Sequence, residues 1–424
     1  MELFQKLGEE IEALWRAKNY NEEDLPEIAS EALKQARLPE TVSAWDVLAW
    51  TMEQTVLPEQ KDARASFGDP PITLYAAPRF HIDVYFWFEG TTAVHQHSFC
   101  GAFQVLHGSS IHSWYEWERR ETVNTFTETG DMTLKVCELL EVGDIQPIWA
   151  GKRYIHSLFH LDQPSATIVV RTDRSPLYLP QYSYHKPHLA IDPFFEQVGT
   201  TKKLQSLTAL IRAGRSDADE HIVKLIENSD FQTTYLVLAQ AHGLLRAGAM
   251  NQIFALARPD ERFKNFLDAA TRRHGKLADI FQPVFSYREK QDEIVRQRGI
   301  VTNPEHRFFL ALLLNAEGRT RIFSLIKKRF PDVDPLEKAL DWTLDMSQTR
   351  VFGANSSNAL GIPDFDNFDL FVLENLLRDK SDEEMRESLR AEYSAEEAEK
   401  LLQGLDAKIE RIRGAVIFQP LLAS

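Results

Sequence analysis

Apolar positions change their period twice along the chain. Over residues 1–65 they recur at helical spacing: Phe4, Leu7, Ile11 and Leu14 are separated by charges, and "DLPEIASEALKQARL" and "VSAWDVLAWTMEQTVL" repeat the pattern. Over residues 66–194 the runs shorten and fill with Thr, Val, Ile, Phe, Tyr and Trp. "ITLYAA", "FHIDVYFWF", "TAVHQHS", "GAFQVLHG", "SIHSWYEWE", "VNTFTET", "TLKVCELLEV", "DIQPIWA", "YIHSLFHL" and "ATIVVRT" all read as strands, broken by Gly, Asp, Pro or Ser. So many short strands without intervening helices predict an all-β barrel or sandwich. A proline-rich stretch with Pro176, Pro180, Pro187 and Pro193, preceded by Pro164, reads as an extended strap leaving it.

Residues 195–424 return to helical spacing. "KKLQSLTALIRAG", "EHIVKLIENS", "TTYLVLAQAHGLLRAG", "ERFKNFLDAATRRHG" and "HRFFLALLLNAEG" place apolar residues at i, i+3 and i+4 and stop at Gly or Ser. No fixed repeat period is present, so a helical bundle is expected. The polar loop "FGANSSNALGIPDFDNF" (352–368) reads equally as a lid or a connector. The predicted fold is α+β and multidomain: an N-terminal helical segment (1–65), a β-barrel (66–194) and a large all-α region (195–424).

Composition narrows the classes. Apolar residues at 43% and charged residues at 26% describe an ordinary globular protein. A formal charge of −15 with no basic block argues against nucleic acid as partner. "FFLALLL" (308–314) is too short to span a bilayer, and the first residues lack a secretory pattern. Two cysteines, Cys100 and Cys137, form no disulfide framework, so a cytoplasmic location is expected.

The candidate chemistry lies in "VHQHSFCGAFQVLHG" (94–108). In a strand, His95 and His97 point to one face and can aim at one ion; two exposed histidines on a sheet are the plain alternative. A second group stands in "GDIQPIWAGKRYIHSLFH", where His156 and His160 share a face by strand parity.

The first stretch resembles the first cupin motif, with Gly90, His95, His97, Gly101 where the motif has Glu, and Gly108. The second is similar to the second cupin motif, with Gly143, a turn ending at Gly151, His156, and His160 where cupins often have Asn. The resemblance covers about 120 of 424 residues and implies an antiparallel double-stranded β-helix. Within cupins, the cadence around "FHIDVYFWFEGTTAVHQH" resembles the cysteine dioxygenase-like thiol dioxygenases, which lack the Glu and bind iron(II) through three histidines. That implies His95, His97 and His156 as metal ligands. The sequence departs from this group in three places. Leu158 stands two residues after His156 in place of Tyr, the early strand has Leu74 and Tyr75 with Arg79 only at its start, and Cys100 is offset by one from the cross-linking cysteine. These departures speak against cysteine as substrate.

Three neutral imidazoles leave the charge of a divalent ion uncompensated, which suits an anionic substrate beside O₂. The expectation is an Fe(II)-dependent dioxygenase of a small thiol, enolate or carboxylate. Alternatives are a zinc, nickel or manganese isomerase, lyase or hydrolase, and a non-enzymatic scaffold whose helical region carries the function. His160 can be a fourth ligand, a hydrogen-bonding neighbour of the ligands or a packed core histidine. His112 and Tyr115 are candidates to orient oxygen or a substrate proton, although aromatic residues at strand spacing also serve as core. Lys152 and Arg153 can attract an anion or simply be solvated; His107 reads as a rim residue. Cys100 has a redox or a packing reading, and Cys137 a structural one. A homodimer or a protein partner is expected to use the C-terminal helices, and no role follows for His185, His188, His221, His242, His274 or His306.

Overall fold

The computed structural model describes residues 2–62, 68–88, 93–195, 197–246, 258–351 and 358–423. Gly90 of the first motif and residues 352–357 of the polar loop lie outside them. Three helices open the chain: α1 (Glu2–Ala17), α2 (Leu25–Ala36) and α3 (Ala44–Glu53). The start of α3 is fixed by a reciprocal pair, Ser43 accepting from the Asp46 amide while the Asp46 carboxylate accepts from the Ser43 amide.

Eleven strands follow among the described residues: β1 (Pro71–Ala76), β2 (Phe80–Trp87), β3 (His95–His97), β4 (Gly101–His107), β5 (Ser110–Asn124), β6 (Thr127–Leu140), β7 (Ile145–Ile148), β8 (Gly151–His160), β9 (Ser165–Thr172), β10 (Ser183–His185) and β11 (Leu189–Ile191). "VNTFTET" is not a strand of its own. It spans the turn between β5 and β6, two strands that pair as one long hairpin, and the first residues of β6 pair on their other side with β11. The strap is not merely extended either, because β10 and β11 within it pair with each other.

One antiparallel sheet has the order β1-β2-β9-β4-β7; the other runs β10-β11-β6-β5-β8-β3 and closes where Ser183 of β10 meets His95 of β3. The three inner strands of the first sheet, β2, β9 and β4, have two buried faces. On β2, Phe80, Ile82, Val84 and Phe86 join Phe4, Leu7, Ile11 and Trp15 of α1 in one apolar core. The alternate residues, Tyr85 and Trp87, face the barrel interior with Phe103, Leu158 and Val169. Ile111, Leu139 and Phe159 on the outer face of the second sheet pack into the core of the C-terminal helices.

The outer edge of β1 is covered by a side chain. Gln60 accepts from the Thr73 amide at 3.0 Å and donates to the Thr73 carbonyl at 3.0 Å. After Ile191 the chain is helical, and five of its helices are capped by the side chains of Asn303, Asp334, Asp366, Ser381 and Ser394. No helix of the described residues is long and apolar enough to cross a membrane.

Candidate metal centre

Strand pairing brings together histidines that are 59 positions or more apart. His95 on β3 stands directly opposite His156 on β8, and a register shift between Gln96 and His97 follows. All three histidines are buried, and one ligating nitrogen from each lies within 4.8 Å of the others. Two nitrogens ligating one ion at about 2.1 Å span at most roughly 4.2 Å, so a small inward shift completes the fit. His97 Nε2 and His156 Nε2 face each other at 2.8 Å. Among the described residues this is the only group of three or more His, Cys, Asp or Glu side chains close enough to share an ion.

The electrostatics favour neutral donors. Burial holds His95 below the ordinary imidazole range, against the opposing hydrogen bond of its Nδ1 to the Ala93 carbonyl at 2.6 Å. That bond puts the proton on Nδ1 and the lone pair on Nε2. His97 is held well below the ordinary range by burial, then by His95 and Arg171. His156 is also held well below the ordinary range by burial, then by His95, His97 and His112. Neutral imidazole is the ligating form, so the donor set suits a cation.

The histidines open on a cavity of about 50 Å³ whose walls include Trp87, Phe99, Phe103 and Leu158. Gly101 keeps a carboxylate out of it: a Cβ there would stand 1.9 Å from the Val170 carbonyl oxygen. The strand approach itself thus excludes the Glu of the first motif. The cavity also holds Arg171 of β9, which the sequence reading passed over. Its guanidinium lies 3.8 Å from the centre of the Phe99 ring, and its Nη1 donates to the Tyr85 hydroxyl at 3.3 Å. Tyr85 donates in turn to Asp83 at 2.9 Å, and Thr73 donates to the other oxygen of that carboxylate at 2.8 Å. Burial pushes Asp83 up, but the hydrogen bonds from His81, Thr73 and Tyr85 outweigh it and hold the carboxyl below its usual range. The available signal was a lone arginine in the apolar run "ATIVVRT", two residues after inward-facing Val169.

The other candidates separate. His112 sits behind His156, with ring centres 5.4 Å apart; its Nε2 accepts from the Tyr154 hydroxyl at 3.0 Å and its Nδ1 donates to Glu138 at 3.0 Å. Tyr154, also missed, contacts the His156 ring at 4.4 Å. Tyr115 does not reach the histidines. It lies an odd number of residues from His112, so it points to the opposite face, where it packs with Leu134, Ile155 and Tyr184 and accepts from Lys186 at 3.0 Å.

His160 lies four residues along β8 from His156. It stacks on Trp87 with ring centres 4.6 Å apart and its Nδ1 bonds Ser165 Oγ at 2.7 Å, which is the geometry of a packed core histidine and not of a fourth ligand. Lys152 and Arg153 are engaged by Glu128 and Glu23. His107 packs against Trp45, and Cys137 is partly buried near Ser113. Cys100 belongs to the core shared with the N-terminal helices, and burial pushes its thiol up to about 12.

No family model and no curated protein matches the chain. Among solved structures, it is similar to a cupin-2 domain containing protein from Shewanella frigidimarina at 13% identity, covering 26% of this chain and 84% of that one, with a TM-score of 0.17. A double-stranded β-helix protein from Klebsiella pneumoniae aligns at 14% identity over 28% of this chain and 84% of its own, with a TM-score of 0.18. The capsular polysaccharide assembling protein CapF from Staphylococcus aureus aligns at 18% identity over 37% and 47% of the two chains, with a TM-score of 0.20. By its own topology, the centre of this chain is a cupin-like barrel with a three-histidine cluster, preceded by helices and followed by a large helical region.

Proposed function

We propose that this protein is a metal-dependent cupin oxygenase in which His95, His97 and His156 hold Fe(II) and a small anionic substrate is oxidised by O₂. The observation that carries the reading is the set of three buried, neutral imidazoles converging on a small, mostly apolar cavity. Such an ion would supply a centre of positive charge at which an anion and oxygen meet. The chain does the rest. The Ala93 carbonyl orients His95, while Phe99 and Phe103 exclude water, and the backbone approach at Gly101 leaves no carboxylate to offset the charge.

Metal analysis of protein purified without chelator tests this directly. About one transition metal per chain is expected, lost in His97→Ala and His156→Ala, with O₂ uptake by the iron-loaded protein across a panel of small anions. Absence of metal after anaerobic iron loading removes the reading. One observation favours a second chemistry on the same ligands with zinc, nickel or manganese. The hydrogen-bonded chain Tyr154–His112–Glu138 leads from the His156 ring to a carboxylate 38% exposed, a layout suited to proton transfer in an isomerase or lyase. Substrate turnover without O₂ uptake distinguishes it.

A further inference from the structure

Helix α3 is apolar on two faces. Ala44 and Val47 are buried in the core shared with α1 and the first sheet. Trp45, Ala49 and Met52, at i, i+4 and i+7, form a stripe on the outward face, where Trp45 is 52% exposed and Met52 86% exposed. Val56, 80% exposed, follows the end of the helix. A helix that is apolar all round is ordinarily covered on every side. The Trp45 indole is held in place from one side by His107, with ring centres 5.7 Å apart. Beside Met52, α3 and the entry to β1 border a hollow of about 630 Å³ whose walls include Leu48, Leu57, Pro70, Pro71 and Ile72. One face thus carries a projecting indole and, two turns further along, an apolar hollow.

We propose that this face binds a second copy of the chain as a two-fold dimer, with α3 packing antiparallel on the partner's α3. About an axis passing between Leu48 and Ala49, Trp45 of each copy reaches the lip of the other's hollow and meets Met52 there, a favourable pairing of aromatic ring and thioether. Ala49, small and at the crossing, lets the helix axes approach to about 8 Å. The area agrees. Trp45, Met52 and Val56 leave roughly 400 Å² of side chain uncovered per copy, about 800 Å² for the pair. A stable interface buries roughly 1,200 Å² or more, and the walls of the hollow supply the remainder. The contact is apolar and not salt-bridged. Asp46 and Glu53 lie on one flank of the stripe, and the two-fold sets that flank against itself. The Asp46 carboxylate is turned back on Ser43, accepting from its amide and its hydroxyl at 2.8 Å each.

Sedimentation velocity on the full chain as purified is expected to show a dimer at on the order of ten micromolar, which tightens as salt screens the acidic flanks. Met52→Glu, at a position too exposed to affect folding, is expected to weaken it at least about thirtyfold. Ala49→Cys is expected to give a disulfide-linked dimer under mild oxidation, and the unaltered protein, whose two cysteines are not exposed, to give none. Tyr393→Glu, an exposed position between two C-terminal helices, is expected to leave the dimer unchanged. A monomer at about 100 micromolar overturns the proposal. So does a dimer that survives Met52→Glu, loosens with salt or is lost in Tyr393→Glu. Should Met52→Glu fail to fold, the cysteine variant decides, and absence of its cross-link overturns the proposal.

Discussion

A missing Cβ decides the character of the histidine cluster. At Gly101 the added carbon would fall 1.9 Å from the Val170 carbonyl, and both groups belong to paired strands that cannot part without loss of the ladder. Gly101→Ala is expected to cost about 3 kcal/mol, read from urea midpoints, and Gly101→Glu to unfold the barrel without creating a fourth ligand. Cys100 gives an opposite expectation, one of silence. Its thiol is 2% exposed and pushed up to about 12, so native protein at mildly alkaline pH should not react there with a thiol reagent, whereas urea-unfolded protein should. Residues differ in how much of this is visible in sequence. His95 and His97 share a face in any register, because their spacing is even. Arg171 and Tyr115 could not be placed, since facing inward or outward depends on strand pairing that a single sequence does not contain.

At the level of elements, polar caps mark where helices begin, and local sequence announces them. Ser381-x-x-Glu384 and Ser394-x-x-Glu397 are legible as capping boxes and form as such. The box at Asp366–Asp369 does more than stop a helix. The Asp369 side chain is fully buried, accepts from the Asp366 amide at 3.0 Å, and pairs with Lys408 at 2.8 Å and Arg411 at 3.1 Å on the helix Ala395–Gly414. Asp369→Ala leaves Arg411 without a carboxylate and Lys408 with Asp366 alone, and is expected to cost about 3 kcal/mol, measured by chemical denaturation, whereas Asp366→Ala, with its exposed side chain, should cost about 1 kcal/mol. The β5–β6 hairpin was not legible. "VNTFTET" has strand composition on both sides of its turn, and no Gly or Pro marks the two residues, Thr125 and Phe126, that reverse the chain.

For the molecule as a whole, buried histidines set the response to acid. His160 is held down to about 3 and His185 to about 4 by burial, and His95, His97 and His156 are lowered as well. Below pH 6.5 the unfolded chain takes up protons that the folded one refuses. Stability of the metal-free protein is therefore full above that pH and falls as pH drops toward the folded values, by up to about 1.4 kcal/mol per pH unit for each such histidine. Urea midpoints at about pH 7 and about pH 5 check the sign, and metal loading should oppose the loss down to the pH at which protons displace the ion. The division into helices, strands and helices was legible from periodicity alone; the core that α1 shares with the first sheet was not, because it joins residues far apart in sequence. The Gln60 side chain bears on how copies of the molecule behave toward each other. Its amide occupies the place a neighbouring peptide would take beside Thr73, and Pro71 offers no N–H two residues away, so the outermost strand presents little to an incoming chain. Gln60→Leu would bare that edge, and concentration-dependent light scattering should then report aggregation in a protein whose interior is unchanged.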